Sequence, residues 1–246
     1  MPTMLAAPPL TVPSPRRTQG LITIIVSLLI FVPLLVLGVA IGWPGSLGDP
    51  ADVALPRLLD HEFATRLGYL AYLAYSVAFF PVAVGISAWR REGPATVSLA
   101  LGIAIGAAAV SALARTIGIT RWLSAAFPLA EQWQETTSAT AREALAIQFG
   151  TLNDFAGAIG ETLGVSIFAA VWLGATIARP GLPRWARITG ALVLVPLAAP
   201  AVELAGVDAG ALVSLSSAAI TIWLLAAGVA MMRDRPAGRS RPQRGD

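Results

Sequence analysis

The tightest constraint on this chain is the recurrence of long stretches that carry no charge. Four uncharged runs, each of more than 20 residues, lie between Arg17 and Asp49, Arg66 and Arg90, Glu92 and Arg115, and Asp208 and Arg233. A helix needs about 20 apolar residues to cross ~30 Å of hydrocarbon, so each run predicts a transmembrane helix. Two more follow if each may hold one carboxylate: Phe155 to Ala178 around Glu161, and Ile188 to Val207 around Glu203. A central ionised residue costs about 2.5–3.5 kcal/mol on insertion scales, whereas the Leu, Ile, Phe and Val residues of the fourth run return roughly 3–5 kcal/mol, so that run inserts. The fifth is interrupted by Pro196 and Pro200, with Glu203 near its end, where a charge costs less.

The resulting fold class is all-α: a polytopic transmembrane bundle of six spans, at about 20–42, 67–89, 94–117, 152–178, 186–206 and 209–232. Polar segments at 1–19 and 233–246 read as disordered cytoplasmic tails around a 20–232 membrane domain. With both termini cytoplasmic, twelve of the seventeen arginines fall on inner segments, and Arg57, Arg66, Arg115, Arg121 and Arg142 fall outside. That distribution satisfies the positive-inside rule. Trp43, Tyr69, Tyr72 and Trp122 fall near the expected outer boundary, where aromatic side chains anchor helices.

Composition excludes most alternatives. Hydrophobic residues make up 56% and charged residues 13% of the chain, about half the charge of a soluble domain. With no cysteine and one histidine, His61, the chain lacks disulfides, thiol nucleophiles and the usual zinc ligand sets, so no metal or other cofactor is expected. Hydrolase, zinc-protease and phosphate-loop motifs are missing, which argues against an enzyme. The net charge of +3 follows from topology and does not suggest a nucleic-acid partner.

Two outer segments exceed simple turns. Between spans one and two, Leu55, Leu58, Leu59 and Phe63 recur at helical spacing and predict a short amphipathic helix on the outer surface. Between spans three and four, Pro128 breaks the chain, and Thr140 with Glu143 forms a capping-box pattern that starts the fourth helix near Ala141.

The candidate site is an intramembrane polar cluster. Gly150, Asn153, Asp154, Gly157, Gly160, Glu161 and Gly164 recur at spacings of three, four and seven, and so share a helix face. Glycines on that face, Gly150, Gly157, Gly160 and Gly164, let a neighbouring backbone approach closely, as Gly102 and Gly106 would on the third helix. Glu161 needs a partner at its depth. Arg115 and Arg121, on or after the antiparallel third helix, are the candidates, with Asp154 and Glu203 nearby. Intramembrane ionisable groups mark functional sites by default. The cluster predicts an outward-facing site that binds or transports a small polar or ionic ligand. The alternative is a non-catalytic membrane partner or regulatory subunit, alone or as a homo-oligomer, in which the cluster is only a structural ion pair.

The residues Arg121–Trp122, Pro128–Leu129, Ala141–Arg142–Glu143–Ala144, Phe149, Asn153, Gly157, Gly160, Glu161, Gly164 and Trp172 carry a resemblance. Over about Arg115 to Ala178 the chain resembles a family of bacterial multi-pass membrane proteins, a domain of unknown function. The resemblance implies six helices in the cytoplasmic membrane and groups Arg121, Asn153 and Glu161. Asp154 and Thr162 stand where that family's pattern often has an aromatic residue and a histidine, so no role needing a histidine carries over.

Overall fold

The computed structural model describes residues 15–89, 98–207 and 210–234. Of the expected tails at 1–19 and 233–246, residues 1–14 and 235–246 lie outside the described residues, as do the inner arginines Arg90 and Arg91, and Asp208. Among those described, every regular element is helical: α1 (Pro15–Leu29), α2 (Phe31–Ile41), α3 (Ala51–Asp60), α4 (Glu62–Ser87), α5 (Leu99–Ser124), α6 (Ala126–Glu135), α7 (Ala139–Gly157), α8 (Ala169–Ile177), α9 (Arg184–Ala198) and α10 (Gly210–Arg233). A π-helical segment, Ala158–Phe168, joins α7 to α8, and a 3-10 segment, Ala199–Ala205, extends α9. Six of the resulting helices are long and apolar enough to cross a membrane.

The first of them starts earlier than composition suggests. Residues 15–19, expected in the tail, are already helical. Tertiary contacts hold them: Gln19 Nε2 donates to the Pro81 carbonyl at 3.3 Å, and Gly20 and Gly228 bring α1 against α10. Pro33 cannot donate to the Leu29 carbonyl, and the helix breaks at Ile30. In α9 the chain passes Pro196, then tightens into the 3-10 segment at Pro200, so the fifth span is continuous but changes winding.

Helix α5 is the axis on which α4, α6, the π segment and α8 pack. It runs to Ser124, beyond the expected end at 117, because Ile119 and Trp122 extend its buried face into a second core. Arg115 and Arg121 therefore sit on one helix, both more than nine-tenths buried. The antiparallel π segment lies against this face at backbone contact. A Cβ on Gly118 would lie 2.6 Å from the Gly160 Cα, and one on Gly164 would lie 2.9 Å from the Arg115 nitrogen. Two of the four stripe glycines, Gly160 and Gly164, thus make the expected close packing, while Gly157 leaves room for the Arg121 guanidinium, 3.4 Å from its would-be Cβ.

Gly150 does not take part, since nothing lies within 4 Å of its would-be Cβ. The register explains this. Gly118 faces Gly160 and Arg115 faces Gly164, so Gly150 lies past the end of α5, where the chain has turned into α6. Gly106 likewise faces open space. The fourth helix starts two residues earlier than the Thr140 pattern implies: Ser138 Oγ accepts the Ala141 N–H at 3.4 Å and caps α7.

Two apolar cores flank the middle of the bundle. One gathers Phe79, Trp172 and Trp223, with Trp172 Nε1 donating to Ser87 Oγ at 3.0 Å. The other joins α3 and α6 to the bundle through Leu37, Leu55, Leu58, Phe127 and Phe149. Helix α3 forms at the expected amphipathic repeat, but Phe63 falls on α4 and is 81% exposed.

The glycine register is testable. Gly118→Val forces a branched side chain into the Gly160 backbone and should destabilise the detergent-solubilised protein by about 1–3 kcal/mol. Gly150→Ala, which meets nothing, should be neutral or stabilising by up to ~1 kcal/mol. Thermal unfolding of the two variants side by side checks both.

Candidate functional site

Beside the second core, and sharing Tyr69, Ile119 and Trp122 with it, lies a cavity of about 400 Å³, within the range of small-molecule pockets. Its walls come from Ile30 and α2, the turn after α2, α4, α5, the π segment and α10. Most of the lining is hydrocarbon or aromatic, including Ile30, Leu34, Ile119, Val165 and Leu225. Into it come Arg115, Arg121 and Glu161, with the phenols of Tyr69 and Tyr72.

Arg121 is the partner of Glu161. Its Nη2 donates to Glu161 Oε1 at 2.9 Å, with side-chain exposures of 5% and 29%. In the antiparallel register Arg121 lies opposite Gly157, one turn beyond Glu161, and reaches back along α5 over the space that glycine leaves. Arg115, opposite Gly164, makes no ion pair with Glu161 among the described residues. Its Nε instead approaches the Gly164 carbonyl at 3.5 Å, and its guanidinium lies over the Phe79 ring, 4.3 Å from the centroid. The same carbonyl accepts a shorter bond, 2.6 Å, from Ser111 Oγ.

The remaining predicted residues divide. Glu203, on the 3-10 segment, accepts a hydrogen bond from Thr162 Oγ1 at 3.0 Å and so reaches the π segment beside Glu161, but it does not line the cavity. Asn153 Nδ2 donates to the Leu47 carbonyl at 2.9 Å. Leu47 lines the cavity, so Asn153 positions the turn that closes that side and is hydrogen-bonded to neither Arg121 nor Glu161. That turn is also held by Arg57, whose Nη1 donates to Asp49 Oδ2 at 2.6 Å and to the Ile41 carbonyl at 3.1 Å.

Asp154 stands outside the cluster: it is exposed and makes no hydrogen bond or ion pair among the described residues. A heptad step from Asp154 to Glu161 stays on one face only in an α-helix. Here the chain enters i→i+5 winding at Ala158, which advances fewer degrees per residue and turns Glu161 away from Asp154.

Several contributors were not picked out by pattern. Tyr69 and Trp122, expected as interfacial anchors, are 1% and 5% exposed and stack at 5.3 Å between ring centroids. Gly118 and Thr162 carry no charge and no motif, and only their register against Gly160 and Glu203 gives them a role.

Comparisons with protein families, curated proteins and solved structures find no match.

The Arg121–Glu161 pair is expected to be strongly coupled. Glu161→Leu leaves a buried guanidinium without its carboxylate, a loss of about 3–5 kcal/mol for a buried pair broken on one side. Adding Arg121→Met to that variant should recover most of the loss, because neither charge is then left alone. A double-mutant cycle on thermal stability reads the coupling, and additive effects would show the two side chains to be independent.

Proposed function

We propose that this is a multi-pass protein of the bacterial cytoplasmic membrane that binds, as receptor or carrier, a small ligand with a polar or ionic group. The ligand enters the cavity beside Arg121 and Glu161. The observation that carries this reading is the cavity itself: two guanidiniums and a carboxylate converge in an otherwise apolar wall between helices. Convergent polar groups in a concave apolar site are the usual signature of ligand recognition. Binding is favoured over chemistry because, among the described residues, no hydroxyl on the wall is hydrogen-bonded to Glu161. Thr221 Oγ1, for example, donates to the Ser217 carbonyl of its own helix at 2.7 Å.

The arginine distribution supports cytoplasmic termini, with the α3–α6 end and the cavity toward the outside. A phosphatase fused after Arg233 should then be inactive, and one inserted in the 44–50 turn should be active.

One feature favours the second reading, in which the pair only fixes helix register inside a membrane complex: it sits beside the Gly118–Gly160 contact. Glu161→Gln separates the two readings. It keeps an acceptor for Arg121 but removes the charge. Under the binding reading, a small ionic compound stabilises the parent protein in thermal-shift screens, and Glu161→Gln shifts its apparent affinity at least about tenfold, weaker for a cation and tighter for an anion. Under the structural reading, no compound stabilises the parent protein, and one stoichiometric membrane partner co-purifies with both proteins.

A further inference from the structure

We infer that the occupant of the cavity is a single-chain amphiphile carrying one negative charge, drawn from the bilayer, with its headgroup on Arg115. This inference rests on the reading of the cavity as a ligand site and names the class of ligand.

The charge count leads there. Of the three ionisable charges on the wall, Arg121 and Glu161 neutralise each other at 2.9 Å. Arg115 remains. It is 4% exposed, has no carboxylate within salt-bridge distance among the described residues, and contacts only an aromatic face and one long carbonyl bond. Its Nη2 is buried without a hydrogen-bond partner. A guanidinium cannot lose its proton, so at this site it is an uncompensated cation in low-dielectric surroundings. Two other donors on the same wall are also buried and unpartnered, Arg121 Nε and Tyr69 Oη. The surplus is a single positive charge with spare donors, which an oxyanion complements and a cation or an amine does not.

The rest of the wall calls for hydrocarbon. Ile30, Phe31 and Leu34 on one side, and Ile222 and Leu225 on the other, form an apolar channel leading from the arginines. Phe31, Leu34 and Ile222 are exposed at 44%, 39% and 67%, so this channel reaches the surface of the bundle that faces lipid. Helix α1 packs on both α10 and α4, α2 packs on α4, and α2 and α10 each contribute apolar lining to the cavity. A small hydrophilic ion would leave this channel unfilled. A hydrocarbon chain bearing a carboxylate or phosphate monoanion fills it while placing the charge at Arg115.

The test uses the full chain in a neutral detergent with four probes: hexadecanoate, hexadecanol, hexadecyltrimethylammonium and acetate. Binding is read from the fluorescence of Trp43 and Trp122, both on the cavity wall, and from thermal shift. The inference expects hexadecanoate to bind at least about tenfold more tightly than hexadecanol, with no response to the cationic amphiphile or to acetate. Arg115→Met should erase the preference for hexadecanoate over hexadecanol, and Arg115→Lys should retain part of it. If acetate binds as well as hexadecanoate, the cavity is a site for small ions, and the amphiphile inference fails while the ligand reading stands. Equal binding of hexadecanoate and hexadecanol to the parent protein overturns recognition by Arg115. Should no probe bind, the amphiphile inference fails, and the ligand reading stands or falls on the Glu161→Gln screen. The parent-protein comparison decides without any variant, so a poorly folding Arg115→Met leaves the outcome intact.

Discussion

A guanidinium enclosed by apolar side chains and helix backbones keeps its charge, and the middle of this bundle is organised around two of them. Carboxylates in such surroundings can take up a proton, and hydroxyls can turn to a nearby carbonyl, as Ser111 does to Gly164. Arginine has neither escape. Its charge must be met by a carboxylate, an aromatic face, a carbonyl dipole or a ligand, and the structure uses the first for Arg121 and the next two for Arg115.

Meeting the first requirement takes a particular backbone. Glu161 reaches Arg121 only because α5 and the π segment approach to backbone contact at Gly118 and Gly160, and because Gly157 leaves room for the guanidinium. Close approach of this kind replaces the hydrophobic drive that lipid removes from helix association. The π winding does a second job, since it aims Glu161 at α5 and Thr162 at Glu203, two residues adjacent in sequence serving two different neighbours. A regular α-helix through the same residues would have kept Asp154 in line with Glu161 and carried a second carboxylate toward the pair.

What the sequence made legible follows from this division. Four charge-free runs of spanning length, and two more holding a single carboxylate each, mark the six long helices, because the cost of an unpaired charge in hydrocarbon is written directly into composition. Glu161 stands out for the same reason, and chain order limits its partner to two arginines. The choice between them was not legible. It depends on where α5 ends and on how the facing glycines register, and the apolar continuation through Ile119 and Trp122 hides the first while open-faced Gly150 blurs the second. Asp154 was misplaced because periodicity assumes a constant turn per residue, and no residue in Ala158–Phe168 announces a change of winding. Tyr69 and Trp122 look like interfacial aromatics from their place in the chain, and only the packing of α3 and α6 over them shows that they are core.

The two arginines also differ in what they do to the fold. Arg121 joins two helices through its carboxylate, so its removal uncovers a charge as well as losing a bond. Arg115 gains only a long carbonyl bond and a ring face in return for its desolvation, while its Nη2 gains nothing from the protein. An apolar side chain of similar length at position 115 would avoid that penalty, as apolar replacements of buried charges often do. A residue that costs the unliganded protein stability is best explained by a state in which its charge is answered. The cavity borders Arg115 as well as the Arg121–Glu161 pair, so a negative charge placed there could meet Arg115 while Glu161 stays on Arg121.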